Sequence, residues 1–483
     1  MKDREKTPRM PKLWEALLVL GLLVAVLAVG ILVYGVGILV YGVDPHVPMF
    51  VGTIFAALMA LRLGYTWEAV EKSMLDGIYK ALQSVIILAI IGILTGVWLD
   101  AGVVPTMIYY GLQVLSPGVF FVGALLICSI TALATGTSWG TMGTMGVALM
   151  GIGYGLGMNP AMTAGAIISG AYFGDKLSPL SDTTNLAPAM AGTDVMTHVK
   201  FMLPSTAVTY GISAVFFLVL GLTQYHGGDA DMSSVTTLSQ SLKDMFTINP
   251  LLLLPPLVVI VAVALKVPAI PGIVLGIITG GIVGVIFQPD CTLGTLFSCG
   301  MNGFSCETGI YEIDELLNSG GLMNMMFSIS MTIIAMMFGG IMEDTHQLEA
   351  IVDKVKKLAK SPAGLVALTE ATCVVSNATM PEQYISIVVP GRMYAEEYRK
   401  KGLHPAVLSN ALESAGTVSS ALIPWNTCGV FILGTLGVGV AEYGPWAIFN
   451  WLMPLVTLAM AFMGHTVADA DGVRLAKKRK LQK

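Results

Sequence analysis

Long apolar runs separated by polar segments recur along almost the whole chain, and they restrict its fold more than any other feature. Many approach the roughly 20 residues that a helix needs to cross the hydrocarbon core of a bilayer. Only 12% of the 483 residues are charged, against about 25% in soluble domains. The sequence therefore predicts an all-α polytopic membrane protein with roughly 12–14 membrane segments. The runs are residues 13–40, 47–63, 81–99, 118–134, 138–157, 160–191, 201–222, 251–265, 268–287, 322–342, 363–375, 384–393, 405–440 and 446–463.

Some of these runs are interrupted or rich in glycine. Residues 160–191 and 405–440 contain polar breaks, and 138–157 forms either a full crossing or a re-entrant hairpin. Both ends of the chain, 2–12 and 474–483, are basic, and cytoplasmic loops carry an excess of Lys and Arg. Both termini are therefore expected in the cytoplasm, with an even number of crossings. The first run is too long for a signal-peptide h-region, and no cleavage site is evident.

Matching residues in the two halves indicate an internal repeat, because Pro160, Ser169 and Pro179 recur 245 positions later as Pro405, Ser414 and Pro424. Where a loop of one half carries Lys or Arg, the corresponding loop of the other half has none. Residues 62–80 carry Arg62, Lys72 and Lys80 where 288–321 have no Lys or Arg, and 343–362 carry four lysines where 100–117 have none. Two inverted-topology repeats are therefore predicted. The predicted divisions are a cytoplasmic N-terminus 1–12, a first repeat 13–222, an external polar linker 223–250, a second repeat 251–465 and a cytoplasmic tail 466–483.

Two polar stretches, 174–186 and 414–428, break the apolar pattern. The first crowds two carboxylates, four hydroxyls and an amide around Pro179. Irregular backbone at membrane depth is tolerated only where it lines a protein-enclosed cavity, and ionisable residues there usually mark an ion or proton pathway. We interpret the rest of the chain as a scaffold that brings these two stretches together.

The first stretch offers the oxygen ligands that a sodium ion prefers. Asp182 is the first candidate, with Thr183 beside it and Asn426 of the second stretch as a tentative third ligand. Burial favours the protonated form of a carboxylate and a bound cation favours the ionised form, so sodium and protons would compete for one site. That competition suffices for antiport. The alternative for Ser181 or Asp182 taken singly is a helix N-cap.

The remaining candidates lie in or near the same breaks. Because Pro179 is expected to interrupt the helix between the two acids, Asp175 either pairs with Lys176 or orients the loop. Glu413 is the carboxylate nearest the second break, and its alternative is a hydrogen-bonded place in the interior. The full set of candidate ion- or substrate-binding residues is Asp182, Asp175, Ser178, Ser181, Thr183, Thr184, Asn185, Thr137, Ser138, Glu382, Glu413, Ser414, Thr417, Asn426 and Thr427.

Other functional classes have little support. No metal-spaced His–Glu cluster and no nucleophile–base arrangement is visible, so neither an enzyme nor a cofactor is expected, and nothing indicates a nucleic-acid partner. His198 and two other histidines near the predicted membrane ends are expected in solvent. Cys291, Cys299 and Cys306 share one segment, which leaves a disulfide there open.

The breaks also resemble a known family. Residues 174–187, with 136–141 upstream and 422–429 downstream, resemble the NhaC family of sodium/proton antiporters, and the likeness runs from about Val47 to Met463. The resemblance implies sodium/proton exchange in a bacterial cytoplasmic membrane, inverted repeats with broken helices, a homodimer and an elevator-type movement. The family also includes malate/lactate exchangers coupled to sodium and protons, so a small organic anion is the alternative substrate.

The positive charges favour the cation-only function. An organic anion needs a cationic pocket or helix N-termini pointing at it. Apart from Lys176, only Arg392 lies in or near a membrane segment, and its position indicates an interfacial residue. A sodium/proton antiporter is therefore the leading hypothesis.

Overall fold

The computed structural model describes residues 8–34, 46–224, 232–265, 267–307, 314, 317–355 and 359–477. Most of the predicted cytoplasmic N-terminus, the end of the first apolar run, part of the polar linker and the last six residues of the basic tail lie outside these ranges. The described residues are helical, and their β-structure is limited to isolated bridges pairing Leu403 with Asp469 and Ala468 with Arg474. The predicted all-α class is confirmed.

In the first half the chain forms helices of very different lengths. They are α1 (Leu13–Tyr34), α2 (His46–Leu63), α3 (Trp67–Asp100), α4 (Val103–Val114), α5 (Pro117–Thr135), α6 (Ser138–Thr141), a π-helix (Met142–Gly146), α7 (Val147–Gly155), α8 (Pro160–Leu177), α9 (Asp182–Ala191) and α10 (Val195–Gln224). A helix in the predicted linker, α11 (Met232–Met245), follows.

The second half begins with a short 3₁₀ turn and again contains a π-helix. Its elements are the 3₁₀ turn (Pro250–Leu253), α12 (Leu254–Ala264), α13 (Ala269–Phe287), α14 (Leu293–Asn302), α15 (Leu322–Asp344), α16 (Gln347–Val355), α17 (Pro362–Thr379), α18 (Ile385–Lys400), α19 (Pro405–Ala411), a π-helix (Leu412–Thr417), a 3₁₀ turn (Ser420–Leu422), α20 (Thr427–Leu436), α21 (Val440–Tyr443), a 3₁₀ turn (Gly444–Trp446) and α22 (Ile448–Phe462).

Six of the described helices are long and apolar enough to cross a membrane, and the number rises to nine if each of three sharply bent pairs counts as one span. This is fewer than the predicted segments, because several apolar runs form short or broken helices. Residues 138–157, for example, form α6, a π-helix and α7 instead of one continuous helix. The pair 405–422 and 427–436 bends by 48° at the second polar break.

Glycines allow the central helices to approach closely. A Cβ built on Gly77 of α3 would lie 2.9 Å from the Cα of Gly340 of α15. A Cβ built on Gly174 of α8 would lie 2.6 Å from the backbone nitrogen of Leu133 of α5. Small residues at such crossings are typical of helix packing in membranes. The end of α8, where the first break begins, is therefore held against α5.

Helix boundaries recur at the spacing seen in the sequence. The starts of α5 and α17, of α8 and α19, and of α9 and α20 are each 245 residues apart. Helices α9 and α20 both end at a left-handed glycine, Gly192 and Gly437. These correspondences support an internal duplication, while the inverted orientation of the halves stays a prediction.

Two segments predicted as loops contain helices. Helix α11 lies within the polar linker, and α14 lies within residues 288–321. The thiols of Cys291, Cys299 and Cys306 are free, so the disulfide alternative is not realised. Cys291 instead donates a hydrogen bond to the Asp100 carboxylate at 3.5 Å.

Candidate ion-binding site

A cavity of about 480 Å³ opens at the first polar break. It lies between the end of α8, the start of α9, the start of α6 and the connection from α17 to α18. Three carboxylates line it, those of Asp175, Asp182 and Glu382, and no described Lys, Arg or His does. The other polar side chains of its wall are Gln83, Ser84, Thr137, Ser138, Ser181, Thr183, Gln383 and Tyr384.

Asp175 is buried in the last turn of α8 and fixes the start of α6. Its carboxylate accepts hydrogen bonds from the Ser138 backbone nitrogen at 3.1 Å and from the Ser138 hydroxyl at 2.6 Å. The Thr137 hydroxyl caps the same helix by accepting from Gly140 N at 3.2 Å. The predicted candidates Asp175, Thr137 and Ser138 therefore meet at one wall of the cavity. Asp175 orients the backbone there and does not pair with Lys176.

The break between α8 and α9 is held by side-chain bonds to backbone groups. Ser178 donates to Leu133 O at 2.9 Å, and Asn185 donates to Ser181 O at 2.7 Å. Thr184 donates to both Asp175 O and Lys176 O. These three predicted candidates satisfy carbonyls that the broken helix leaves unpaired. They shape the break through these bonds.

Asp182 is exposed and faces the cavity as the first residue of α9. The N-cap of α9 is Ser181, whose hydroxyl accepts from Thr184 N. The helix-cap alternative therefore holds for Ser181 and not for Asp182. Within the described residues no side-chain hydrogen bond engages the Asp182 carboxylate, so its oxygens are free to bind a cation.

Glu413 lies behind this wall, in the π-helix of the second half, and is wholly buried. Its Oε1 accepts a hydrogen bond from the Thr183 hydroxyl at 3.1 Å. The next residue, Ser414, accepts one from the Lys176 ammonium at 3.2 Å. Thr417 lies one turn further on, also buried. The two polar stretches therefore meet through side chains of α8, α9 and the π-helix.

Glu382 is buried and lies at the entrance to α18. One carboxylate oxygen accepts hydrogen bonds from Tyr384 N at 2.6 Å and Ile385 N at 3.3 Å. This places a negative charge where the positive end of a helix dipole compensates it. Glu382 is thus both a cap and part of the cavity wall.

Asn426 is the N-cap of α20, and its side chain bonds to neighbouring groups at the second break. It caps α20 by accepting from Cys428 N at 3.0 Å, and it donates to Asn377 Oδ1 at 3.1 Å. Its neighbour Thr427 bonds through its backbone to Pro381 O. Among the described residues no hydrogen bond joins Asn426 to Asp182 or Thr183, so these three predicted sodium ligands are not brought into direct contact.

Sequence reasoning missed two residues of this network. Asn377 donates to Gly416 O at 2.7 Å and to Ser419 Oγ at 3.1 Å, which ties α17 to the second break. The sequence indicates Lys176 as a partner for a neighbouring acid or as a cation for an organic anion, and not as a link to the second break. A lysine inside an apolar run was the available signal for it, since ionisable residues in membrane segments are usually functional.

His198 also differs from expectation. Its ring is buried instead of solvated, and Nδ1 lies 2.8 Å from the Ser409 hydroxyl of α19. Helix α10 passes beside α19, which places this histidine in the interior. The described residues contain no group of three or more His, Cys, Asp or Glu side chains arranged to hold a metal ion.

Comparisons with known proteins identify the family of the chain. Residues 170–465 match the model of the Na+/H+ antiporter family. The chain is 38% identical to the Na+/H+ antiporter NhaC of Alkalihalophilus pseudofirmus, over 96% of this chain and 98% of that protein. It is 37% identical to the malate-2H+/Na+-lactate antiporter of Bacillus subtilis, over 95% and 96% of the two chains. It is 36% identical to the arginine/ornithine antiporter ArcD of Halobacterium salinarum, over 96% and 94%.

The match to the family model covers more than half of the chain, and the similarity to the relatives runs through both polar breaks. Helices able to cross a membrane and broken helix pairs fit a multi-pass transporter. The chain belongs to the Na+/H+ antiporter family.

Proposed function

We propose that this protein exchanges sodium for protons across a bacterial cytoplasmic membrane by alternating access. The observation that carries the proposal is the cavity whose described wall holds three carboxylates and no cation. A cleft lined by one sign of charge concentrates ions of the opposite sign. Sodium ions and protons are the cations for which relatives in this family are named.

Asp182 is the first binding group for either ion in this proposal. It faces the cavity with uncommitted oxygens, and the Thr183 hydroxyl lies next to it on the same wall. Carboxylate and hydroxyl oxygens are suitable ligands for a hard cation. A proton on the Asp182 carboxylate removes the charge that binds sodium, and bound sodium keeps the carboxylate ionised. Each ion therefore displaces the other.

The contact between the halves supplies a route for coupling. Thr183 touches both the cavity and the buried Glu413 carboxylate. A movement of α8 and α9 against the π-helix would break this hydrogen bond, so ion occupancy and movement are linked through one side chain. The elevator-type movement, the homodimer and the cytoplasmic position of both termini are parts of the same proposal.

The organic-anion alternative fits the cavity poorly, because malate or lactate would face three carboxylates without a cation on the described wall. An organic cation is the better second candidate. The cavity volume of about 480 Å³ exceeds what a single sodium ion needs, and its acidic wall suits a basic amino acid. A relative is named for arginine/ornithine exchange.

Transport by purified protein in proteoliposomes tests these functions together. An inward sodium pulse is expected to alkalinise the lumen as protons leave in exchange, without any organic solute. The same assay with malate, lactate or arginine as the counter-solute identifies the alternatives. If no sodium-driven proton flux is seen and exchange requires one of these solutes, the protein is an exchanger of that solute and not a sodium/proton antiporter.

A further inference from the structure

Lys176 is a wholly buried lysine at the end of α8. It does not line the cavity, although its neighbour Asp175 does. Its ammonium donates to the Ser414 hydroxyl at 3.2 Å, across 238 positions of the chain. A buried charge inside a membrane protein is costly unless it is paired, and such residues are usually functional. A single hydroxyl is a weak partner for a group with three donors.

Two buried acids can balance this charge. They are Glu413, which immediately precedes the Ser414 partner of Lys176, and Glu370 of α17. Within the described residues neither forms an ion pair with it at a nitrogen–oxygen distance of 4 Å or less. One oxygen of each carboxylate, Glu413 Oε2 and Glu370 Oε1, accepts no hydrogen bond from the part of the chain that the structure describes. Buried polar atoms of this kind call for an explanation.

Glu413 is linked both to Lys176, through the adjacent residue Ser414, and to the cavity wall. Its other oxygen, Oε1, accepts from Thr183, whose side chain is part of the cavity wall. A cation that enters the cavity next to Thr183 and the ammonium of Lys176 are therefore attracted to the same carboxylate. Two positive charges close to one carboxylate repel each other. At the effective dielectric of a protein interior, this repulsion lowers the affinity for sodium several-fold or more.

We propose that Lys176 is an internal cation that competes with sodium for the field of Glu413 and thereby sets the sodium affinity of the transporter. This rests on the proposed function, because it assumes that sodium enters the cavity. Lys176 is a positioning residue: it acts on sodium through Glu413 and touches no transported ion itself. The effect depends on the charge of Lys176. Lys176 keeps its proton throughout the transport cycle.

A purely structural role makes a different prediction. If Lys176 only joined α8 to the π-helix, its removal would lower the amount of folded protein and the maximal rate, with the same sodium concentration for half-saturation. If it opposes sodium, removing its charge must lower that concentration. The sign of the shift therefore separates the two roles.

The test measures sodium half-saturation in proteoliposomes at one fixed, near-neutral pH, so that competition from protons is the same for every variant. Lys176→Gln is expected to lower the sodium concentration for half-saturation by about tenfold, since the positive charge that opposes sodium is removed. Lys176→Arg keeps the charge and is expected to stay within about threefold of wild type. Lys80→Gln, which removes a surface lysine paired with Glu343 at 2.6 Å, is the matched control and is expected to leave half-saturation unchanged.

Lys176→Gln leaves two buried glutamates without their cation, so a second variant guards against a folding failure. The double variant Lys176→Gln, Glu370→Gln removes the lysine together with an acid that does not line the cavity. It is expected to show the same lowered sodium concentration for half-saturation. An unchanged or raised half-saturation in this double variant overturns the proposal. If wild type shows no sodium-driven proton flux, the proposed function fails instead, so the two failures are distinguishable.

Discussion

The Thr183 hydroxyl donates a hydrogen bond of 3.1 Å to the Glu413 carboxylate, although 230 positions separate the two residues. Thr183 belongs to the first turn of α9 and Glu413 to the π-helix of the other half. The bond therefore connects the wall of the acidic cavity to a wholly buried acid. The first prediction concerns this contact.

Replacing Thr183 by Val keeps the shape of the side chain and removes its hydroxyl. We expect the sodium concentration for half-saturation to rise by about tenfold, because a proposed ligand is lost. Glu413 also loses the hydrogen-bond donor to its Oε1, and a hydrogen bond to a charged group contributes about 1.5–3 kcal/mol. Thr279→Val is the control, since the Thr279 hydroxyl bonds only to carbonyls of its own helix. Equal sodium dependence in both variants would exclude Thr183 from the site.

Asp182→Asn removes the only carboxylate of the cavity wall whose oxygens have no hydrogen-bond partner among the described residues. Sodium-driven proton flux is expected to fall at least about 100-fold, because Asn can neither release a proton nor supply a full charge. Asp76→Asn, at an exposed position on α3, is the matched control and is expected to transport normally. Normal exchange by the Asp182 variant would show that the ion site lies elsewhere.

Asn377→Ala should loosen the second break. The side chain donates to Gly416 and Ser419 and accepts from Asn426, all within the buried interior. Loss of these bonds is expected to cost about 2–4 kcal/mol in the free energy of unfolding, since their partners remain buried and unsatisfied. Thermal unfolding in detergent measures this as a lower Tm. Asn302→Ala changes an exposed asparagine and is expected to alter stability by less than about 0.5 kcal/mol.

Gly77→Ala tests the crossing of α3 and α15. The added methyl group would lie 2.9 Å from the Gly340 Cα, so the helices must separate. A destabilisation of about 1–3 kcal/mol is expected from such overpacking. Gly211→Ala on α10 meets nothing within 4 Å and should instead stabilise slightly, by about 0.5–1 kcal/mol, through helix propensity. If both substitutions had the same effect on Tm, the close crossing would be wrong.

The first break could be located from the sequence because its signals are local. Pro179 follows the end of α8 at Leu177. The Ser181 hydroxyl caps α9 by accepting a hydrogen bond from Thr184 N, three residues further along the chain. Proline geometry and N-cap chemistry act over a few residues, so they can be predicted without knowing the fold. The equal spacing of helix starts in the two halves follows from the same local signals.

Other parts of the site depend on packing between distant segments. Neither π-helix has a local signature, and the one carrying Glu413 is stabilised by side chains from α8, α9 and α17. Lys176 directs its ammonium towards Ser414 instead of towards the acids near it in sequence for the same reason. The hydrogen bond from Asn426 to Asn377 likewise joins residues 49 positions apart, so local sequence signals do not predict it.

Proton release on sodium binding tests most directly whether the two ions compete for the carboxylates of the cavity. Calorimetric titration of the purified wild-type protein with sodium, in buffers of different ionisation enthalpy and at an acidic and an alkaline pH, measures it without transport. We predict weaker sodium binding at acidic pH and a heat that changes with the buffer, with both effects lost in Asp182→Asn. Sodium binding with the same affinity at both pH values and a buffer-independent heat would contradict the account.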